Sequence, residues 1–138
     1  MSKEEEGKNK ALIKEIAEEV FNKHQPDKAD VYYQPGFVQH DPGVAPGREG
    51  FKSSFHAIFE AFPDWHVELG PMFAEDDRVV SFQTHTATHQ KEFKGIPATG
   101  KKITLETADR FRIENGRVAE HWHVLQPEGF KWVDFLLR

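Results

Sequence analysis

The sequence contains no cysteine, which excludes a disulfide framework, a thiolate metal site and a cysteine nucleophile. Positive charge is also scarce: 18 Lys and Arg against 23 Asp and Glu give the 138 residues a net charge of −5, which argues against a nucleic-acid partner. No apolar run approaches the ~20 residues of a membrane span. The first ten residues, MSKEEEGKNK, are polar and acidic, unlike a signal peptide. We therefore expect a soluble, cytoplasmic protein with no membrane partner.

Helical periodicity precedes strand periodicity along the chain. Residues 1–9 are expected to form a disordered tail, and apolar residues then recur at helical spacing over 8–24. Further helices are predicted at 28–33 and from Arg48 to Phe62, and strands at 65–69, 78–89, 103–113 and 117–125. This order predicts a single α+β domain over residues 1–138, in which about three helices cover a curved, mainly antiparallel sheet and leave a pocket between the layers.

A carboxylate lies on the apolar face of one predicted strand. Side chains alternate over 103–113, and Asp109 shares a face with Leu105 and Phe111. A charge in such surroundings is costly unless it is paired, and desolvation is expected to raise the pKa of Asp109. Two interpretations stay open. Asp109 is either a buried residue that holds a hydroxyl or backbone group, or a general acid/base or substrate anchor.

The partners of Asp109 depend on the turn at 114–116, a strong hairpin signal. A two-residue turn pairs Asp109 with Trp122. A three-residue loop that ends in a left-handed glycine pairs Asp109 with His121 and Thr107 with His123. The two registers place opposite sets of side chains in the pocket.

Charge favours the three-residue loop, because that register sets Arg110 opposite Glu120 as a cross-strand ion pair. We therefore predict that the polar groups of the pocket lie on one inward face. They are Thr107, Asp109, His121 and His123.

The opposite face of the sheet is predicted to carry an apolar stripe. Its members are Val80, Phe82, Val118, Trp122 and Val124. An exposed stripe of this kind is typical of an interface, so a homodimer through the outer face is expected. The apolar C-terminal tail at 130–137 is the alternative cover.

Further aromatic and imidazole side chains are candidates for binding a substrate. His85 and His89 share the inward face of strand 79–89, and His40 precedes a loop near the helices. The predicted substrate-binding residues outside the central group are Phe37, His40, Phe62, Trp65, His85 and His89. No HExxH-type spacing links the histidines, and no complete phosphate-binding loop is present, so we expect neither metal nor cofactor.

Several segments in one order carry a family resemblance. They are FVQHD at 37–41, GREGF at 47–51, AFPDW at 61–65, EDDRVVSFQTHTATH at 75–89, GIPATGK at 95–101 and DRFRIENGRVAEHWHV at 109–124. Over about residues 10–130 the chain resembles the SnoaL-like polyketide cyclases of the nuclear-transport-factor-2-like superfamily. The resemblance implies a cone-shaped α+β barrel with a deep pocket.

The resemblance also implies a chemistry. The family's cyclases close a ring by intramolecular aldol condensation without metal or cofactor, using an acidic residue as general acid/base. The family's EHW motif is usually followed by Asp, and this position is His123 here. Either His123 takes the proton-transfer role, or Asp109 does with His123 as its partner, or the activity differs.

Three kinds of function follow from these observations. The first is a cofactor-independent cyclase or isomerase that acts on a hydrophobic carbonyl compound through an enolate, with Asp109, His123 and His121 as catalytic residues. An epoxide hydrolase-like enzyme on the same scaffold is a close variant. The alternatives from other classes are a non-catalytic small-molecule binding protein and a structural dimer.

Overall fold

The computed structural model describes residues 1–125 of the chain, so the predicted apolar element at 130–137 lies outside the described residues. The helices are α1 (Lys3–Ile16), which continues as a π-helical segment (Ala17–Asn22), a 3₁₀ turn (Pro26–Lys28), α2 (Ala29–Tyr32) and α3 (Gly47–Ala61). The strands are β1 (Tyr33–Gln39), β2 (His66–Glu75), β3 (Arg78–Thr88), β4 (Lys102–Glu114) and β5 (Arg117–Leu125).

The chain begins with a helix and not with the disordered tail that we expected over residues 1–9. The side chain of Ser2 accepts a hydrogen bond from the Glu5 backbone N–H at 3.1 Å, and three glutamates occupy the first turn. Both features stabilise a helix N-terminus, since they pair free N–H groups and face the positive end of the helix dipole. Farther along, Ile13 and Ile16 anchor the helix in the core.

The five strands form one mixed sheet in the order β1-β5-β4-β3-β2. Neighbouring strands are antiparallel except β1, which runs parallel to β5. This arrangement confirms the α+β prediction with helices over a curved sheet. The sheet is not closed into a barrel, because β1 and β2 are its two edges.

The β4–β5 hairpin corrects both predicted registers. Its turn has two residues, Asn115 and Gly116, at φ of 52° and 75°, which suits a hairpin turn. The ladder pairs Ile113 with Val118 but Arg112 with Glu120, so a β-bulge at Ala119 shifts the register.

Beyond the bulge, Asp109 lies opposite His123, neither Trp122 nor His121 as the two registers required. Beyond the bulge the favoured register was wrong by two residues, and such a shift leaves the side chains of that part of β5 on the face that the register assigned to them. The cross-strand ion pair of Glu120 forms with Arg112, at 3.1 Å, and not with Arg110.

The core lies between α3 and the inner face of the sheet, and α3 supplies a row of aromatic rings. Phe51, Phe55 and Phe59 are all buried, with neighbouring ring centroids 4.6 and 5.6 Å apart. Gly50 is required where α3 passes residue 45, because a Cβ at this glycine would lie 2.5 Å from the Ala45 backbone. The helix therefore forms an apolar wall of the core, and it packs against β1.

The outer face of the sheet differs from the predicted apolar stripe. The bulge turns Val118 inward, where it is fully buried, while Phe82 stays 40% exposed. Trp122 is covered on this face by charged groups, with the guanidinium carbons of Arg110 and Arg78 4.0 and 5.3 Å from its ring centre. The homodimer through this face stays a prediction.

No helix within residues 1–125 combines the length and the apolar character that a membrane span needs.

Candidate active site

A cavity of about 530 Å³ lies between the helices and the inner face of the sheet. Its walls are mostly apolar and come from every layer of the fold. They include Ile16, Phe37, Phe55, Ile58, Trp65 and Leu105. The polar groups of the wall come from β3, β4 and β5, from the end of β1 and the residues that follow it, and from Lys94 in the loop after β3. Such a cavity, apolar with a few convergent polar groups, is the usual form of a small-molecule site.

The carboxylate of Asp109 lies at the centre of the polar wall. Its side chain is only 5% exposed, and both oxygens have partners. Thr107 donates a 2.7 Å hydrogen bond from Oγ1 to Oδ2, because both residues lie on the inner face of β4 two positions apart. Oδ1 faces the two imidazoles of β5. The predicted inward position of Asp109 is therefore confirmed.

His121 links Asp109 to the strand at the edge of the sheet. Its Nε2 lies 2.8 Å from Asp109 Oδ1, and its Nδ1 lies 2.6 Å from Gln39 Oε1. The Gln39 oxygen also accepts the backbone N–H of Asp41 at 3.1 Å, which fixes the orientation of the amide. The ring is thus held at both nitrogens.

His123 lies between two carboxylates. Its Nε2 donates to Asp41 Oδ2 at 2.6 Å, and Asp41 Oδ1 accepts the backbone N–H of Gly43 at 2.8 Å. On the other side, Nδ1 lies 3.1 Å from Asp109 Oδ1 but without the direction of a hydrogen bond. The imidazole is therefore hydrogen-bonded through Nε2, while Nδ1 is buried without a hydrogen bond to a described residue.

The charges of this group determine its protonation. Burial alone would raise the pKa of Asp109, but His121 and His123 together outweigh it and hold that pKa well below its ordinary value. Burial alone would lower the pKa of His123, but Asp109 and Asp41 outweigh it and raise that pKa to about 10. The expectation that desolvation governs Asp109 was wrong, because it did not count the two imidazoles. At neutral pH the centre holds an imidazolium between two carboxylates.

His85 also lines the cavity, and its ring is neutral. Burial lowers the pKa of His85 to about 4. Trp65 donates from Nε1 to His85 Nδ1 at 3.2 Å, so the proton of the ring is on Nε2, which donates to Gln83 Oε1 at 3.0 Å. The predicted cavity positions of His85 and Trp65 are therefore confirmed, as is that of Phe37.

His40 does not face the cavity, contrary to the prediction. Side chains alternate from Phe37 onward, so Gln39 and Asp41 turn inward and His40 turns out. His40 lies on the outer face, where Nε2 is 2.6 Å from a Glu120 carboxylate oxygen and the ring stacks on an indole. The same alternation in the sequence was the signal that could have found Gln39 and Asp41.

Phe62 and His89 also lie outside the cavity wall, in a separate part of the core. Their rings stack with centroids 5.3 Å apart, and both are fully buried. His89 Nδ1 accepts the backbone N–H of Thr99 at 3.2 Å, which ties the loop after β3 to the end of that strand. The two predicted substrate-binding residues therefore support the loop and do not line the cavity.

Comparison with known proteins agrees with this architecture. Residues 11–129 match the SnoaL-like polyketide cyclase family. No curated protein sequence resembles the chain at a significant level.

Solved structures share the fold over most of their length. A candidate polyketide cyclase from Acidithiobacillus ferrooxidans is 30% identical, with a TM-score of 0.74 and coverage of 85% of this chain and 87% of that one. The candidate hydroxylase AclR from Streptomyces galilaeus is 28% identical, with a TM-score of 0.77 and coverage of 89% and 92%. TsrD from Streptomyces laurentii, at 24% identity, a TM-score of 0.75 and 89% coverage of both chains, is similar in fold. The chain belongs to the SnoaL-like polyketide cyclase family.

Proposed function

We propose that this protein is an enzyme that enolises a hydrophobic carbonyl compound by acid/base catalysis and directs the enolate to intramolecular aldol cyclisation or to isomerisation. One observation carries the proposal. A carboxylate and an imidazolium, Asp109 and His123, lie side by side in the wall of an apolar cavity. Enolisation requires this combination, a base for the carbon-bound proton and a donor for the carbonyl oxygen.

The cavity supports an apolar substrate of moderate size. Its volume of about 530 Å³ falls within the range of about 300–1,000 Å³ that small-molecule sites occupy. Phe51 and Phe55 of α3 line the same cavity as the polar groups of β4 and β5, so a bound molecule would place apolar groups against these rings and its oxygens toward Asp109 and His123. Burial from water would strengthen both electrostatic contacts.

The two groups take different roles. Asp109 is ionised and accepts the proton from the carbon next to the carbonyl. His123 is protonated, and its Nδ1–H donates to the carbonyl oxygen as negative charge develops there. In an aldol closure, the enolate carbon then attacks a second carbonyl carbon, and the new alkoxide takes a proton. The proton that Asp109 removed balances the one supplied to the product, so no external oxidant or reductant is consumed.

The low basicity of the ionised Asp109 is relieved during the reaction. Its pKa is low because His121 and His123 stabilise its charge. When the proton of His123 is shared with the substrate oxygen, that stabilisation weakens, and the carboxylate becomes a stronger base. The acid and the base are therefore coupled through their ion pair. Thr107 and Asp41 are positioning residues, because they hold Asp109 and His123 by hydrogen bonds. Gln39 acts one step farther out, since it holds the His121 ring that contacts Asp109.

Deuterium exchange tests the proposal without knowledge of the natural substrate. The protein is treated with EDTA and incubated in D₂O with a panel of aryl-substituted 1,3-diketones and monoketones, and NMR follows the loss of carbon-bound protons. We expect accelerated exchange with at least one apolar ketone. Since general acid/base groups contribute about 10²–10⁴-fold, we expect Asp109→Asn to reduce the rate by about that factor.

One control variant and two contrary outcomes complete the test. Glu120→Gln changes a carboxylate on the outer face of β5 and should leave the exchange rate unaltered. Ligand-dependent increases in melting temperature without exchange would contradict the proposal and favour a binding protein. Exchange that is equal in wild type and in a folded Asp109→Asn variant would remove Asp109 from the mechanism.

A further inference from the structure

The polar centre of the cavity has the composition of a metal-binding triad as well as that of an acid/base pair. Asp109, His121 and His123 each offer one ligand atom, and these three atoms lie within 4.8 Å of one another. Two imidazoles and one carboxylate on one face of a cavity form the ligand set of many mononuclear sites that keep open positions for substrate. The sequence predicted no metal site, because no HExxH-type spacing links the histidines, and this inference departs from that expectation.

The distances within the triad fit a shared ion. Two ligand atoms that are each about 2.1 Å from a metal, at angles of 90–110°, are about 3.0–3.4 Å apart. Asp109 Oδ1 lies 2.8 Å from His121 Nε2 and 3.1 Å from His123 Nδ1. The third pair, His121 Nε2 and His123 Nδ1, lies within 4.8 Å, so a shared ion requires the two rings to rotate toward each other.

The outer partners of the histidines provide an independent observation. A histidine that ligates a metal almost always donates its other N–H to a carboxylate or carbonyl oxygen, which fixes the ring and the tautomer. His121 has Gln39 Oε1 at 2.6 Å on its other nitrogen, and His123 has Asp41 Oδ2 at 2.6 Å. Both rings are therefore already held with Nε2 of His121 and Nδ1 of His123 on the side of Asp109.

The orientation of His123 points the same way. Its Nδ1 is buried and makes no hydrogen bond to any described residue, although Asp109 Oδ1 is only 3.1 Å away. A ligand nitrogen has this geometry, because its lone pair is directed at the ion and not at the neighbouring ligand oxygen. A pair arranged only as a hydrogen-bonded ion pair would align the N–H with the carboxylate.

We propose that Asp109, His121 and His123 bind one divalent transition-metal ion of the Zn²⁺, Co²⁺ or Fe²⁺ class, with the remaining coordination positions open to the cavity. Hard oxygen-seeking ions such as Mg²⁺ and Ca²⁺ do not suit a site with two nitrogen ligands. The ion takes the nitrogen that carries the His123 proton in the acid/base form. Metal binding and that proton therefore exclude each other, and the inference goes beyond the proposed function.

Co²⁺ binding tests the site directly. Protein freed of metal by EDTA and dialysis is titrated with Co²⁺, and the visible absorption bands of the ion report the number and kind of ligands. We expect one equivalent to bind with a band pattern typical of nitrogen and oxygen ligands. Zn²⁺ should displace it, and Mg²⁺ should not. Calorimetry with Zn²⁺ measures the affinity of the same site.

Graded variants identify the ligands. Asp109→Asn removes the negative charge of one ligand and His121→Ala removes a ligand atom, and each should weaken binding by more than the ~100-fold that is the upper range for an outer partner. Asp41→Asn removes only an outer partner, and loss of such a partner typically costs about 10–100-fold. The matched control is His40→Ala, a histidine on the outer face that lies beside Glu120 and should leave binding unchanged. Circular dichroism establishes that each variant is folded, and His121→Ala replaces Asp109→Asn if the latter is not.

Two results would overturn the inference. One is the absence of stoichiometric Co²⁺ binding to the wild-type protein. The other is binding that survives in a folded triad variant or disappears in His40→Ala, which would place the ion on surface histidines. Neither result bears on deuterium exchange by the EDTA-treated protein, so the inference and the proposed function fail separately. If both hold, added Zn²⁺ should suppress the exchange reaction that uses the His123 proton.

Discussion

Strand β5 presents a histidine–carboxylate pair on each of its two faces, and the pairs differ in burial but not in distance. On the inner face, His123 Nε2 lies 2.6 Å from Asp41 Oδ2, with side-chain exposures of 17% and 12%. On the outer face, His40 Nε2 lies 2.6 Å from Glu120 Oε2, with exposures of 41% and 21%. The same contact therefore occurs in two dielectric surroundings on opposite sides of one strand.

The comparison shows that surroundings, not contact geometry, give the inner pair its chemistry. An exposed ion pair is screened by water and contributes little to stability. A buried pair interacts strongly, but each charge depends on the other because neither can be solvated. The inner pair also has a second carboxylate, Asp109, on the far side of the imidazole.

Removal of the inner imidazole should have the largest effect. His123→Ala leaves Asp41 and Asp109 buried without the cation between them, and loss of one partner of a buried pair typically costs about 3–5 kcal/mol. We expect a decrease of that size in the free energy of unfolding, measured by urea denaturation of EDTA-treated protein at pH 7. His40→Ala is the matched change on the outer face, and equal losses in the two variants would abolish the distinction between them.

The second-largest effect should be the loss of stability as the pH rises and the inner imidazolium loses its proton. The pKa of His123 is about 10 in the folded protein, above the reference value of 6.5. Its stabilisation is therefore complete below about pH 6.5 and is lost as the pH rises toward 10. The effect should be smaller than that of the deletion, because the neutral ring still donates to Asp41.

This slope is measured by urea denaturation at several pH values between 6 and 10. We expect the difference in unfolding free energy between wild type and His123→Gln to narrow across that interval. His40→Gln is measured in the same way as the matched change on the outer face. If the difference in unfolding free energy between wild type and His123→Gln stays constant up to pH 10, His123 is not an imidazolium in the folded protein.

Neutralising one carboxylate without changing its shape should have the smallest effect on stability. The effect should still be larger on the inner face than on the outer face. Asp41→Asn keeps an oxygen for the Gly43 N–H but removes the charge that faces His123. Hydrogen bonds to charged groups contribute about 1.5–3 kcal/mol, so a loss in that range is expected. Glu120→Gln on the outer face should cost about 0–1 kcal/mol. Denaturation of the two variants side by side measures the contrast, and a larger loss for Glu120→Gln would reverse it.

The inner half of this comparison was largely predictable from the sequence. Period-two alternation placed Asp109 on the apolar face of its strand. Any register that differs from the observed one by an even number of residues also places His121 and His123 on that face. The family resemblance supplied the α+β fold over nearly the whole chain. The helical N-terminus also had a signal, Ser2 followed by Glu5, but the density of charge favoured a disordered tail.

The remaining details depended on single residues that no periodicity marks. The bulge at Ala119 adds one residue to β5 and turns Val118 inward, and the composition of the strand gives no sign of it. The pKa of Asp109 required knowledge of the two rings that reach its Oδ1 from another strand. Sequence patterns can assign a side chain to a face of the sheet. They cannot show how many side chains from other strands contact it there.

NMR titration of the histidine rings shows whether an imidazolium lies between Asp41 and Asp109 on the inner face. The protein is labelled with ¹⁵N in its histidines, treated with EDTA and titrated from pH 5 to 10.5, with His123→Gln used to assign the signal. We expect the ring of His123 to keep the chemical shifts of the doubly protonated form through pH 8 and to titrate at a pKa of about 10. A His123 ring that loses its proton near pH 6.5 would contradict this expectation.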